Sequence, residues 1–213
     1  MNTRCYITGA GDFISGWLPG KGDFIIAADG GYAALTARGV RPDLVVGDFD
    51  SLGEIPEHPN IVRSPVIKDD TDVMLAVKQG LTRGYREFII NGGLGGRLDH
   101  TFANIQVLTY IAKNKARGVL LGSPMCMTAV SNGTVSFQKK NSGLISVFSV
   151  GGLAEGVTLT GLKYPLDNAA LSYEYPLGIS NEFTGAPAVI SVRAGDLIIM
   201  WEGGPENITS ASA

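Results

Sequence analysis

The hydrophobic pattern of this chain changes at about Met125, and this change constrains the fold more than any other feature. Before it, short apolar runs alternate with helical repeats, which is typical of a layered α/β domain with a mostly parallel sheet. After it, apolar residues recur near every second position, which predicts an antiparallel β-sandwich. We therefore expect an α/β domain over residues 1–124 and a β-sandwich over residues 125–213.

Several elements of the second half are predicted individually. Asn132-Gly133 lies between two apolar runs and predicts a β-hairpin turn. Residues 144–148 and 156–159 are predicted as separate strands. Residues 203–213 are predicted to be a frayed tail.

Residues 45–52 place two carboxylates directly after a predicted buried strand. In extended backbone, Asp48 and Asp50 at positions i and i+2 point to the same side. Two carboxylates held close together repel each other, and a divalent cation such as Mg²⁺, which prefers oxygen ligands, removes that conflict. A simple turn is the alternative interpretation, because Gly, Asp and Ser are common turn residues.

Three further polar segments, residues 29–31, 68–72 and 92–100, follow predicted strands or open a helix. Ligands of parallel sheets bind beyond the carboxyl ends of the strands, so we expect these segments at one edge. Magnesium binds carboxylates and polyphosphate oxygens together, cationic side chains neutralise the remaining charge, and glycine N–H groups can contact phosphate. The pattern favours phosphoryl-type transfer. The residues concerned are Asp29, Asp48, Asp50, Asp70, Asp72 and Asp99, with Lys68, Arg97 and His100.

Simpler structural roles exist for several of these residues. His100 is also compatible with a solvated position at the start of a helix. Arg97 can pair with Asp99 at the surface, and either Asp70 or Thr71 can cap the helix that follows.

Composition restricts the class of partner. The net charge is −3 and the isoelectric point about 5.4, with no basic run, which argues against nucleic-acid binding. No apolar run approaches the ~20 residues of a membrane span, and the N-terminus does not have the pattern of a signal peptide. Cys5 and Cys126 are expected to be buried, reduced thiols. We expect a cytoplasmic protein that does not associate with a membrane.

Six segments together resemble the thiamine pyrophosphokinase family. Four lie in the first half, at residues 28–31 (ADGG), 42–51 (PDLVVGDFDS), 68–72 (KDDTD) and 95–104 (GGRLDHTFAN). Residues 161–166 (GLKYPL) and 180–182 (SNE) resemble the thiamine-binding segments of that family.

The resemblance implies a homodimeric enzyme that transfers the pyrophosphoryl group of ATP to the hydroxyl of thiamine, giving thiamine diphosphate and AMP. It implies Mg²⁺ bound by Asp48, Asp50 and Asp72, with Asp70 as a further ligand. Asp48, Asp50, Asp72, Asp99 and Arg97 are the implied catalytic residues. The implied ATP-phosphate contacts are Asp29, Gly30, Lys68, Gly95, Gly96, Arg97 and His100.

The resemblance also implies how thiamine is bound. Tyr164 would stack on thiamine, while Ser180 and Asn181 would hydrogen-bond to the aminopyrimidine. Thiamine would lie between the catalytic domain of one subunit and the sandwich of the other.

Two other functions share part of this pattern. One is a diphosphotransferase that acts on another heterocyclic alcohol, such as a pterin. The other is a non-catalytic module that binds thiamine or a nucleotide. Tyr164, Ser180 and Asn181 suit a flat cationic heterocycle, and the number of acids at one edge favours catalysis over binding alone.

Overall fold

A computed structural model describes residues 4–49, 57–63 and 70–212. It contains two compact units, Met1–Val107 and Leu108–Ala213. The division falls within a helix, whereas the change of hydrophobic pattern at Met125 coincides with the first residue of a strand. The boundary between a catalytic and a thiamine-binding domain at residues 124 and 125 stays a prediction.

The first unit contains a parallel sheet. Five of its strands are β1 (Cys5–Thr8), β2 (Phe24–Ala28), β3 (Leu44–Gly47), β4 (Ile61–Arg63) and β5 (Glu87–Asn91). They lie in the order β4-β3-β2-β1-β5, and each neighbouring pair is parallel. The helices are α1 (Gly31–Thr36), α2 (Asp72–Thr82) and α3 (Leu98–Lys113), the last of which continues into the second unit. The predicted α/β class is confirmed.

Helix α2 illustrates how the sequence determines one of these elements. Thr71 adopts an extended backbone, and its hydroxyl accepts a hydrogen bond from the Met74 N–H at 3.2 Å. Of the two predicted caps, Thr71 is therefore the one that is used. Val73, Ala76 and Val77 are buried and lie on one face of the helix, whereas Leu81 is half-buried.

The second unit consists mainly of antiparallel strands. They are β6 (Arg117–Leu120), β7 (Met125–Ser131), β8 (Thr134–Phe137), β9 (Leu144–Thr160), β10 (Leu166–Leu171), β11 (Gly178–Glu182), β12 (Ala188–Ser191), β13 (Ala194–Glu202) and β14 (Ile208–Ser212). A short 3-10 helix spans Pro205–Asn207. The tight connection between β7 and β8 contains Asn132, with φ of 48°, as the Asn-Gly pair predicts.

Two expectations for this unit are wrong. Residues 144–160 form the single strand β9 of 17 residues, which pairs with β10, β11, β12 and β13. Glycines with positive φ, Gly151 and Gly156 among them, lie within this strand without ending it. The predicted frayed tail instead forms β14, which pairs with β8 because the edge of β8 offers free backbone groups.

Trp201 lies in the core of the second unit. It is 0% exposed, and its ring meets that of Phe137 edge-on at 5.3 Å. Its indole N–H donates to the Gly204 carbonyl at 3.2 Å, so the polar atom of this buried ring is paired.

Cys5 and Cys126 are both buried free thiols, in agreement with the sequence analysis. Burial raises the pKa of the Cys5 thiol to about 12. Among the helices of the described ranges, none has the length and apolar character that crossing a bilayer requires.

Candidate active site

A cleft of about 310 Å³ opens at the carboxyl ends of the strands in the first unit. The chain passes from β1 to β2, β3 and β4 on one side and returns to β5 on the other side of β1. The cleft lies where the order reverses, which is the usual ligand position in open α/β sheets. It brings together six predicted site residues: Asp29, Asp72, Gly95, Gly96, Arg97 and His100.

Asp29 and Asp48 follow neighbouring parallel strands. The Asp29 N–H donates to the Val46 carbonyl at 2.8 Å, which ties the end of β2 to the end of β3. A Cβ on Gly47 would lie 3.3 Å from Asp29 Cα, so the residue before Asp48 approaches Asp29 closely. Asp29 and Asp48 are both half-buried. The two acids therefore lie at one edge of the sheet, as predicted.

Phe49 corrects one premise of the predicted metal motif. Its φ is 65°, a left-handed conformation that is uncommon for a bulky residue, so the backbone between the two motif acids is not extended. The Phe49 ring is buried and packs with Ala27, Leu35 and Val45. The packing of this ring therefore fixes the backbone next to Asp48. Asp50 lies outside the described residues.

Asp72 and Asp70 differ in their surroundings. Asp72 is the first residue of α2 and lines the cleft, where the positive end of the helix favours a negative charge. Both carboxylate oxygens of Asp70 accept hydrogen bonds from Lys78 Nζ at 2.7 Å. This ion pair competes with any metal ion for Asp70.

The glycine-rich segment after β5 depends on left-handed backbone. Gly92, Gly95 and Gly96 have φ of 65°, 83° and 61°. The Asn104 amide, which is 6% exposed, donates to the Gly93 carbonyl at 2.8 Å and anchors the segment to α3. The segment is thereby shaped before any ligand binds.

Arg97 and Asp99 form the surface pair that the sequence allowed. Arg97 Nε and Nη2 donate to the two Asp99 oxygens at 3.1 and 2.6 Å, with both side chains exposed. The hydrogen bond from Arg97 lowers the pKa of the Asp99 carboxyl, and the His100 N–H contributes in the same direction. Asp99 is therefore ionised at neutral pH and is a weak proton acceptor.

Two predicted residues, Asp50 and Lys68, lie outside the described ranges. Within residues 4–49, 57–63 and 70–212, no three His, Cys, Asp or Glu side chains are grouped closely enough to bind a metal ion. The donor chemistry at the edge is nevertheless suitable for a hard cation, because Asp29, Asp48 and Asp72 offer carboxylate oxygens.

The residues implied in thiamine binding lie in the second unit. Tyr164 is 56% exposed, and Lys163 Nζ lies 5.4 Å from the centre of the Tyr164 ring. Lys163 also pairs with Glu182 at 2.6 Å. The Tyr164 ring is thus accessible and already contacts a cation.

Asn181 does not present its amide to solvent. It is 3% exposed, its Oδ1 accepts from the Tyr164 and Glu182 N–H groups, and its Nδ2 donates to the Tyr164 carbonyl at 2.7 Å. Ser180 is exposed, with φ of 56°, at an irregularity in the pairing of β11 with β9. The Asn181 amide therefore shapes the backbone of Tyr164.

Comparison with known proteins identifies the family of the chain. The model described as "Thiamin pyrophosphokinase, catalytic domain" matches residues 18–120, and "Thiamin pyrophosphokinase, vitamin B1 binding domain" matches residues 134–197. Thiamine pyrophosphokinase of Bacillus subtilis is 31% identical over 182 residues, which cover 82% of this chain and 85% of the relative. The chain belongs to the thiamine pyrophosphokinase family.

Solved structures extend the likeness to the fold. Thiamin pyrophosphokinase from Geobacillus thermodenitrificans aligns with a TM-score of 0.80 and 26% identity, over 96% of this chain and all (100%) of that one. Thiamine pyrophosphokinase from Bacillus subtilis aligns with a TM-score of 0.79 and 27% identity, over 95% and 100% of the two chains. The predicted α/β-plus-sandwich fold and the thiamine pyrophosphokinase function, an ATP-dependent diphosphotransferase, are confirmed.

Sequence reasoning missed part of the cleft of this thiamine pyrophosphokinase family member. Gly9, Ala10 and Gly11 line it from the end of β1, together with Thr71 and Asn104. The signal for the first three was a Gly-Ala-Gly run directly after a buried strand. For Asn104 it was a polar residue on the buried side of a helix.

Proposed function

We propose that the family reaction takes place at the cleft of the first unit, where the ATP polyphosphate binds across the ends of β1, β2 and β5. The thiamine hydroxyl oxygen forms a bond to the β-phosphorus and gives its proton to a carboxylate of the acidic cluster, and the bond from that phosphorus to the oxygen of AMP breaks. The observation that supports this site is the convergence of Asp29, Asp72 and the glycine-rich segment at the reversal of strand order.

We assign magnesium binding to Asp48, Asp50 and Asp72, with Asp70 as a weaker candidate because Lys78 occupies it. When bound, Mg²⁺ supplies positive charge to the phosphate oxygens. The half-buried positions of Asp48 and Asp72 at the edge of the sheet support this assignment.

The remaining residues of the cleft bind and orient the phosphates. Arg97 and His100 at the start of α3 supply hydrogen-bond donors, with Lys68 as a further cation. Backbone N–H groups of Gly30, Gly95 and Gly96 complete the contacts. Asp99 orients the Arg97 guanidinium, to which it is hydrogen-bonded at two points.

For thiamine we propose stacking on Tyr164 and a hydrogen bond with Ser180. Asn181 supports this contact indirectly, because its amide holds the backbone of Tyr164. The exposed ring of Tyr164 suits a flat cationic ligand.

We propose that the chain works as a homodimer. The segment between β10 and β11 and the strand β11 carry Tyr173, Tyr175, Leu177 and Ile179, which are 51–67% exposed. Large exposed apolar side chains in one stretch of chain are typical of a protein–protein interface. In a symmetric homodimer, a second copy of the chain would cover these side chains.

We also propose a cytoplasmic location. The two cysteines, Cys5 and Cys126, are free and buried, which is compatible with a reducing compartment.

The test of the active site is the variant Asp48→Asn. It keeps the shape of the side chain but removes its charge, and we expect turnover to fall by about 100-fold or more. AMP release from ATP and Mg²⁺ would be measured with thiamine and, separately, with pterin alcohols. Glu206→Gln, an exposed acid of the second unit, is the charge-matched control and should keep wild-type activity.

Wild-type turnover by folded Asp48→Asn protein would overturn the metal assignment. AMP release that depends on a pterin rather than on thiamine would overturn the assignment of thiamine as the substrate.

A further inference from the structure

Residues 9–17, here called the β1 loop, lead away from the end of β1. Gly9, Ala10 and Gly11 at the start of this loop line the cleft. The family's catalytic-domain model begins at residue 18, so the loop lies outside the matched residues. Contacts with the rest of the first unit hold this side of the cleft in place.

The first part of the β1 loop is bound to the glycine-rich segment through the backbone. The N–H groups of Gly9, Gly11 and Asp12 donate to the carbonyls of Asn91, Gly92 and Leu94 at 2.7–2.8 Å. A Cβ on Gly9 would lie 2.6 Å from the Gly92 oxygen, so a side chain there would force the two segments apart. Close backbone contact thus sets the distance between these two walls.

The Asn91 side chain makes three hydrogen bonds to the second part of the β1 loop. Asn91 Oδ1 accepts from the Ile14 N–H at 2.8 Å, and Nδ2 donates to the Ile14 and Trp17 carbonyls at 3.0 and 3.3 Å. The same amide accepts from the Gly92 N–H and donates to the Tyr6 hydroxyl, both at 2.8 Å, so its two N–H groups are shared among three acceptors. The Tyr6 hydroxyl in turn donates to the Trp17 carbonyl.

Asn91 is 0% exposed, so these bonds form in a dry environment where an unpaired partner is costly. Only a carboxamide of this size offers both acceptor and donor to the loop. An ionised carboxylate would accept from Ile14 but would repel the carbonyls of Ile14 and Trp17. An apolar side chain would remove the acceptor of the Ile14 N–H and one donor to each of the two carbonyls.

We propose that Asn91 is a positioning residue that keeps the β1 loop against the glycine-rich segment and so fixes the width of the cleft for the nucleotide phosphates. The inference rests on the proposed nucleotide site. Asn91 acts through the backbone of the loop, and it requires no contact with ATP or with thiamine. Its loss should therefore weaken ATP binding and leave thiamine recognition in the second unit unchanged.

The expected loss of ATP affinity depends on the fraction of time that the β1 loop stays bound to the glycine-rich segment, a state here called closed. If the loop of an Asn91→Leu variant is closed for only about a tenth of the time, the apparent affinity for ATP falls about tenfold. KM for ATP should rise by a similar factor, while KM for thiamine should stay within twofold of the wild-type value.

The experiment compares Asn91→Leu and Asn91→Asp with the control Thr128→Val. Thr128 is a buried residue of the second unit whose hydroxyl donates to the Gly118 carbonyl at 2.7 Å, so its variant loses a buried hydrogen bond far along the chain. For each protein, ATP affinity by calorimetry, both KM values, kcat and the melting temperature are measured. Tyr6→Phe, which removes the hydroxyl between Asn91 and Trp17, is a milder second variant.

We expect weaker ATP binding in both Asn91 variants and a smaller effect in Tyr6→Phe, with Thr128→Val unchanged. The Asn91→Asp variant should recover affinity at acid pH, because a protonated carboxyl can again donate to the loop. ATP affinities within twofold of wild type in folded Asn91 variants would overturn the inference. If wild-type protein itself fails to bind ATP, the proposed function fails instead.

Discussion

The neighbouring glycines Gly95 and Gly96 provide a matched pair for testing how the glycine-rich segment is built. Both have left-handed backbone, with φ of 83° and 61°. A Cβ on Gly95 would overlap the Asp12 carboxylate, whereas a Cβ on Gly96 would meet no atom of the described residues within 4 Å. Alanine at the two positions therefore differs in one physical respect, the contact with Asp12.

The expected magnitudes follow from this difference. Placing alanine in the left-handed region costs about 1 kcal/mol at either position. At Gly95 the exposed Asp12 side chain must also rotate to a less favourable conformation, which costs about 1 kcal/mol more. For a chain of this length, 1 kcal/mol lowers the melting temperature by roughly 2–4 °C. Gly95→Ala should therefore melt about 2–4 °C below Gly96→Ala.

The assay is thermal unfolding followed by circular dichroism, with both variants made in the wild-type and Asp12→Ala backgrounds. Removing the carboxylate removes the overlap, so the two alanine variants should melt within about 1 °C of each other in the Asp12→Ala background. Equal melting temperatures in the wild-type background, or a difference that persists without the carboxylate, would refute the reasoning.

Three further predictions concern other parts of the chain. Tyr175→Glu should sediment as a monomer if a second copy covers this 67% exposed residue, whereas Glu174→Gln should stay dimeric; a dimeric Tyr175→Glu protein would place the interface elsewhere. Asn181→Leu should raise KM for thiamine about tenfold by releasing the backbone of Tyr164, with KM for ATP unchanged; an unchanged thiamine KM would show that this support is not needed. Burial raises the pKa of the Cys5 thiol to about 12. The neutral thiol therefore stabilises the folded state fully below about pH 9, and this stabilisation is lost as the pH rises towards 12. Urea unfolding should show a loss of about 1 kcal/mol between pH 9 and 10 that is absent in Cys5→Ala, and parallel pH curves would contradict it.

The sequence predicted the elements whose residues are buried on both faces of the sheet. The apolar runs that form β2 and β5 identify these strands directly, because a parallel strand covered on both sides has few polar positions. The acids at the edge were predictable for a related reason. Parallel strands end at the same edge, so Asp29 and Asp48 had to lie near each other once the strands were recognised.

Strand β9 shows what local patterns could not predict. Glycines such as Gly151 and Gly156 are typical of turns, yet both belong to one strand. Pairing with other strands, including the distant β13, keeps this strand continuous. The same applies to β14, which contains few apolar residues and forms because β8 is available to pair with it. Pairing between distant segments outweighs the local preference of these residues.

The candidate site could be predicted as a set of residues but not as a set of contacts. Asn181 lies 17 positions from Tyr164, and Asn91 lies 77 positions from Ile14. Whether such an amide contacts a ligand or the protein's own backbone depends on which distant segment the fold places next to it. Phe49 is similar, since its left-handed backbone follows from the packing of its ring in the core.

Strand β13 pairs on one side with β7 and on the other with β9, although both of these strands precede it in the sequence. During synthesis, β7 and β9 leave the ribosome long before the strand that must lie between them. The second unit therefore cannot complete its sheet until Ala194–Glu202 has been synthesised, while the parallel strands β1 to β5 can pair much earlier. Nascent chains arrested before Ala194 should accordingly need chaperone protection for their unpaired apolar strands.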